Sequence, residues 1–228
     1  MKVFAAAAAL AALIVFPAAS AAQSSRELRI TPRAGMVTPD GYFYVQYGRF
    51  GLGPVEWTEA AIESAPVVGL TAEVELGGGL WLRGEVLRAI DASLSVAYVE
   101  AQEPVGFEPP QLARTYYDIP TTLTLGSIDL ALPTRLSLPF GIQPYFTGGI
   151  GAKRYAFDRD AFGPIDEQDE DLVYPSDGTS LTLNAGAGAV VRIGTLGIDV
   201  LVRDAISDYW GIQQHDVLFL LGVTLTVP

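Results

Sequence analysis

The sequence predicts an all-β fold, an eight-stranded antiparallel up-and-down barrel. Three observations predict it. Apolar residues recur at every second position in eight separate stretches, the spacing that puts them on one face of a strand. Clusters of Gly, Pro and Asp separate those stretches. The connections between them alternate in length, so the two ends of the meander differ.

The first 22 residues stand apart from this pattern. MKVFAAAAALAALIVFPAASAAQ carries one basic residue, Lys2, then an apolar run from Val3 to Phe16, then small residues at Ser20, Ala21 and Ala22. That is the layout of a secretory signal peptide, with cleavage expected after Ala22. Residues 23–228 then form the barrel domain of 228 − 22 = 206 residues, and loss of Lys2 takes the formal charge from −12 to −13. The chain has no cysteine, so an exported protein of this size draws its stability from a large core or from lipid rather than from disulfides. Its acidity argues against a nucleic-acid partner and against electrostatic adhesion to anionic lipid surfaces. Hydrophobic residues make up 50% of the chain against 18% charged. Mean hydropathy is +0.30. Yet the body holds no run of about 18 apolar residues, so no membrane helix is predicted there.

The strands follow in order. The first sets Leu28, Ile30, Ala34 and Met36 against Arg29, Thr31 and Arg33. VEWTEAAIES, 55–64, is the nearest approach to a helical period, with Thr58 placed to cap one or two turns. The second strand, VGLTAEVEL, alternates from Val68 to Leu76 and ends at Gly77–Gly79. The third, LWLRGEVLR, runs on through LSVAYV with a kink near Asp91. The fourth, TTLTLGSIDLAL, changes apolar phase between Leu125 and Ile128, which predicts a β-bulge near Gly126. The fifth is QPYFTGGIGAKRYAF, the sixth SLTLNAGAGAVVRI, the seventh GIDVLVRDAI. The eighth, HDVLFLLGVTLTVP, is apolar on both faces at Leu218 and Leu220 before its inner row turns small and polar at Gly222, Thr224 and Thr226. Connections 38–66, 101–114, 156–178 and 209–215 fall on one end, and the shorter 77–79, 133–141 and 194–197 on the other.

Alternation leaves two orientations. A soluble barrel of the lipocalin type turns its apolar face inward around a greasy ligand, as a secreted or periplasmic binder. A transmembrane barrel turns it outward to lipid. The polar faces favour the second. They carry few ions, of both signs: Glu73, Glu75, Arg83, Glu85, Asp129, Lys153, Arg192, Asp199 and Arg203, with Gly and Thr between. A narrow lumen needs small residues and mutually neutralised charges, because an unpaired buried ion costs several kcal/mol. Arg83 is expected to pair with Glu73 or Glu75 across the Gly77–Gly79 turn. Eight strands leave an interior that side chains fill, so a plugged lumen rather than a diffusion pore is expected. Aromatics near strand ends (Tyr42, Tyr44, Tyr47, Trp57, Tyr116, Tyr117, Tyr155, Phe157, Tyr209, Trp210) suit an interfacial girdle.

On this pattern the chain resembles the small bacterial outer-membrane β-barrel families, of the kind that forms the transmembrane domain of outer-membrane protein A. The C-terminus carries the most specific likeness: Gly222 followed by Val223, Leu225 and Val227 resembles the barrel-assembly signal, with Pro228 in place of the usual terminal aromatic. The resemblance implies insertion into the outer membrane by the assembly machinery, with long loops outside the cell and short turns in the periplasm. The partners it implies are outer-membrane lipid and lipopolysaccharide, for a barrel expected to be a monomer.

The sequence offers two further chemical candidates. His215 lies beside Asp216 and shortly after Ser207 and Asp208, the residue types of a lipid A acyl hydrolase or transferase. The order and spacing match no such motif, and no enzyme is expected. The 158–177 loop gathers Asp158, Asp160, Asp166, Glu167, Asp169, Glu170, Asp171 and Asp177. Oxygen ligands suit calcium, but the spacing is not that of an EF-hand. A solvated acidic loop is expected, and neither a metal nor a cofactor.

Overall fold

In the computed structural model the described residues are 27–40, 44–47, 56–101, 112–134, 136, 138–162, 176–209 and 212–227. They form β1 (Leu28–Asp40), β2 (Tyr44–Tyr47), β3 (Glu56–Ile62), β4 (Ala65–Gly77), β5 (Leu80–Ala89) and β6 (Ala92–Ala101). Then come β7 (Leu112–Pro133), β8 (Ile142–Phe157), β9 (Gly178–Ile193), β10 (Leu196–Tyr209) and β11 (Ile212–Val227). β1 pairs with β4 on one side and with β11 on the other. The ring runs β1–β4–β5–β7–β8–β9–β10–β11 and back to β1, antiparallel throughout. β2, β3 and β6 continue the staves of β1, β4 and β5 beyond the ring, where β6 also pairs with the first half of β7. The barrel therefore has eight staves, and ring closure leaves no free edge at mid-height.

The chain breaks where its local chemistry demands. Gly77, Gly78 and Gly79 take φ of 105°, 63° and 82°, the left-handed region that glycine occupies without penalty. Asp91, at φ 52°, makes the kink between β5 and β6 that the sequence places there. Residues 56–62 are not helical. Ala60 and Ile62 are buried alternately and pair along β6, so strand pairing overrides the helix-favouring composition. No bulge occurs near Gly126, since β7 pairs without a register break with both β5 and β8 through that point. Leu123 and Leu125 point inward while Ile128, Leu130 and Leu132 point outward. The apolar phase changes because the interior changes, not because the strand does.

The outer wall is the apolar one. On β11, Phe219, Leu221, Val223, Leu225 and Val227 are all exposed. The row is matched by Leu196, Ile198, Val200 and Val202 on β10, Leu181 and Leu183 on β9, Phe146 and Ile150 on β8, and Leu70 and Val68 on β4. Val217–Val227 spans ten residue intervals of about 3.3 Å, which at a tilt of about 40° gives a belt about 25 Å tall. Soluble monomers rarely expose contiguous apolar patches beyond a few hundred Å². A belt closed around the whole wall has the dimensions of a bilayer core, and the lipocalin-type orientation is excluded.

Candidate functional site: an ion-paired lumen

The inward row of each stave carries the polar groups, and these converge at the end of the barrel where the short turns lie. Arg33 on β1 donates through Nε to Thr71 Oγ1 at 2.7 Å and lies 3.2 Å from Glu85. Its other arm reaches Asp199 at 3.3 Å. Arg83 on β5 donates to Glu73 on β4 at 2.7 Å, and Tyr145 donates to Asp199 at 2.7 Å. Arg203 on β10 lies 2.7 Å from Glu85. It also reaches Ser127 Oγ at 3.0 Å and Asp129 at 3.3 Å. Asn184 donates to the same Asp129 at 3.3 Å. Three guanidinium groups thus meet four carboxylates, all less than a tenth exposed. Arginine suits this setting because its fork contacts two carboxylates at once.

Glycine makes the room. A Cβ built on Gly188 would lie 2.4 Å from Tyr145 Cζ, and one on Gly149 would lie 2.5 Å from Asp129 Oδ1. One on Gly222 would lie 2.4 Å from Thr31 Cγ2 and 3.3 Å from Arg33 Cγ. Each long polar side chain lies over a bare stretch of a neighbouring stave. Gly188→Ala is therefore expected to destabilise the barrel by about 1–3 kcal/mol, the range for overpacking a filled core, in urea unfolding from vesicles. An unchanged midpoint would show that Tyr145 does not hold this position.

Toward the long connections the interior becomes apolar. Val37, Leu87, Leu94, Ile119, Leu123, Leu125, Leu201, Leu218 and Leu220 pack together, with Phe157 and with Phe162 from the 3₁₀ turn Arg159–Phe162. Leu218 and Leu220 are 0% and 2% exposed, which accounts for the stretch of β11 that is dry on both faces. Lys153 and Asp216 form a fully buried ion pair at this level, and Gln214 accepts from Lys153 at 3.1 Å. At the opposite mouth, Arg29 lies over the Trp81 ring, 3.1 Å from its centroid. Arg29 and Arg192 there line a recess of about 20 Å³, room for little more than one water.

Eight of the nine charges singled out from the sequence are placed in this interior, and all but Arg192 of those eight have ionic or hydrogen-bonding partners in it. Arg192 shows no ion pair among the described residues and borders the mouth. Glu75, the ninth, is half-buried beside the turn and donates its backbone N–H to Glu27 at 3.4 Å. Sequence reasoning missed Arg29, Arg33, Thr71, Ser127, Tyr145 and Asp216 as members. Arg29 and Arg33 were visible as the polar face of the first strand. Their partners depend on the stagger between staves, which no local pattern records.

The remaining candidates fall elsewhere. His215 points outward above the belt, with Nδ1 2.8 Å from Asp204 Oδ2. That hydrogen bond, with the carboxylate charge, raises the proton affinity of the imidazole above its ordinary value. Asp216, the next residue on β11, points inward by strand alternation, and Ser207 on β10 points inward beside Gln214, so both lie on the other side of the wall and no relay with His215 forms. Tyr155 and Phe157 are buried inside the barrel rather than set in a girdle; Tyr117 packs against the apolar core, and Tyr116 is exposed. Tyr44 and Tyr47 make up the ends of β2, Trp57 lies in β3 and Tyr209 ends β10, while Tyr42 and Trp210 lie outside the described residues. Of the acidic loop, Asp158, Asp160 and Asp177 are described, and no group of metal-ligating side chains occurs among the described residues. Asp177 accepts from the Phe157 backbone N–H at 3.0 Å.

An apolar wall around an ion-paired, side-chain-filled interior defines the class: an eight-stranded transmembrane β-barrel. No family model matches the chain, and no curated protein matches it in sequence. Among solved structures it is similar to Neisserial surface protein A, at 10% identity and a TM-score of 0.44 over 89% of this chain and 99% of that one. The N-terminal β-barrel domain of Pseudomonas aeruginosa OprF matches at 13% identity and 0.43, over 88% and 97%. Ail, the attachment invasion locus protein of Yersinia pestis, matches at 13% and 0.42, over 89% and 100%.

Proposed function

We propose that this chain is a non-enzymatic integral protein of a bacterial outer membrane. It is exported by a signal peptide cleaved after Ala22 and inserted by the barrel-assembly machinery, which reads Gly222, Val223, Leu225 and Val227. It acts as a monomeric structural or interaction barrel, with its long connections outside the cell, its wall in contact with outer-membrane lipid and lipopolysaccharide, and its lumen closed. One observation carries this: the apolar belt faces out while the interior is filled twice over, by ion pairs at one end and leucines at the other. The separation of His215 from Ser207 by the barrel wall supports the non-enzymatic role.

Planar-bilayer recording of the refolded barrel tests the closed lumen. No large stable conductance is expected, and channels of nanosiemens size would contradict it. Mass spectra of lipid A from cells carrying His215→Ala are expected to match those from cells carrying the wild-type chain. A change in acylation would restore the enzyme.

A further inference from the structure

Arginines and carboxylates both rim the top of the belt, and the exposed arginines gather on one arc. On one arc the first outward charges above the belt are Asp40, Asp204 and His215, on β1, β10 and β11, with Asp208 further up β10. On the other arc they are Asp118 on β7, Asp177 just before β9, and two arginines, Arg88 on β5 and Arg154 on β8. The register places the two arginines on either side of one residue: Arg88 is opposite Thr124 on β7, and Thr124 is opposite Arg154. Arg154 is in turn opposite Thr179 on β9. The result is a continuous outward row, Arg88–Thr124–Arg154–Thr179, across four staves.

Both arginines are exposed, and neither has an ion-pair partner among the described residues. That contrasts with Arg33, Arg83 and Arg203, whose charges are neutralised inside the barrel. Below the row the wall is apolar, with Val86 and Leu82 under Arg88, and Ala152 and Ile150 under Arg154. The row therefore lies at the height where acyl chains give way to headgroups, on the side of the long connections. Two strands' spacing puts the arginines about 10 Å apart. Each fork can take a phosphate bidentately, and the hydroxyls of Thr124 between them and Thr179 beside Arg154 can bond to sugar hydroxyls.

We propose that Arg88, Thr124, Arg154 and Thr179 form a binding site for the phosphorylated headgroup of an outer-leaflet glycolipid of the lipid A type. The inference rests on the proposed outer-membrane orientation, and it names which part of the wall the glycolipid occupies. The described carboxylates on these staves, Asp118, Asp158 and Asp177, lie further toward the long connections than the row, and Asp177 accepts a hydrogen bond from the Phe157 backbone N–H.

Native mass spectrometry of the folded full-length mature chain in detergent tests this, using bisphosphorylated lipid A, the same lipid with its phosphates removed, and phosphatidylglycerol. The wild-type barrel is expected to retain bisphosphorylated lipid A at least roughly tenfold more than either other lipid. Arg88→Gln with Arg154→Gln should abolish that preference, and Asp204→Asn should leave it intact. Equal retention of the dephosphorylated lipid, equal retention of phosphatidylglycerol, or an unchanged preference in the double variant would each overturn the site. Heat-modifiable gel migration verifies folding. Should the double variant not fold, the comparison of the three lipids on the wild-type barrel still decides. A chain that needs no detergent contradicts the outer-membrane orientation itself, whereas a folded, detergent-dependent barrel without lipid preference contradicts only this site.

Discussion

Arg203→Ala is expected to destabilise the folded barrel by about 3–5 kcal/mol, the loss that follows when one member of a buried ion pair is removed. Arg203 is 2% exposed, and one of its nitrogens serves Glu85, Ser127 and Asp129 together. Without it Asp129 keeps, among the described residues, the hydrogen bonds from Ser127 and Asn184, and Glu85 keeps Arg33 and Thr71. Two carboxylates then share less positive charge in a space with no bulk water. Urea unfolding from lipid vesicles measures the loss. The companion variant Arg203→Met with Glu85→Gln removes a charge of each sign and should recover a large part of it, because the penalty comes from the uncompensated carboxylate more than from the lost pair. A cost below about 1 kcal/mol for Arg203→Ala would mean that water reaches these groups.

Leu221→Arg tests the other face. Leu221 lies near the middle of the outward row of β11, and its cross-strand neighbours Ala34 and Val200 are apolar. A guanidinium there has no counter-ion and is half a belt from water. The expected cost is about 2–4 kcal/mol in a bilayer, falling to about 0–1 for Val227→Arg at the belt's edge. That dependence on depth is what a lipid-facing wall produces. In a wall facing water both substitutions would be nearly neutral, within about 0.5 kcal/mol.

The faces of the staves were legible in the sequence wherever the interior is polar. Glu73, Arg83, Asp199 and Arg203 each alternate with apolar neighbours, and period-two alternation needs no tertiary information. Legibility fails where the interior is also apolar. Leu123, Leu125, Leu218 and Leu220 are core residues of the outer half. Both faces of their strands are dry there, so alternation disappears, and a change of interior solvent resembles a bulge or a misplaced residue. Residues 56–62 failed for a different reason. Short glutamate- and alanine-rich stretches favour helix in isolation, and only the neighbouring β6 decides otherwise.

The site was legible as a set of charges but not as a network. Which carboxylate meets Arg33 follows from the stagger of β1 against β4, β5 and β10, a property of ring closure that only the assembled barrel determines. Glycine was the more informative signal. Gly149, Gly186, Gly188 and Gly222 mark the bare positions over which Asp129, Arg203, Tyr145 and Arg33 lie, and such glycines within strands identify a crowded lumen before any partner is known.

Membrane fractionation of cells expressing the full chain tests the outward apolar wall most directly. The protein should sediment with the membranes, resist extraction by high salt and alkaline carbonate, and enter solution only with detergent. Recovery of the folded chain in the detergent-free soluble fraction would contradict a lipid-facing belt.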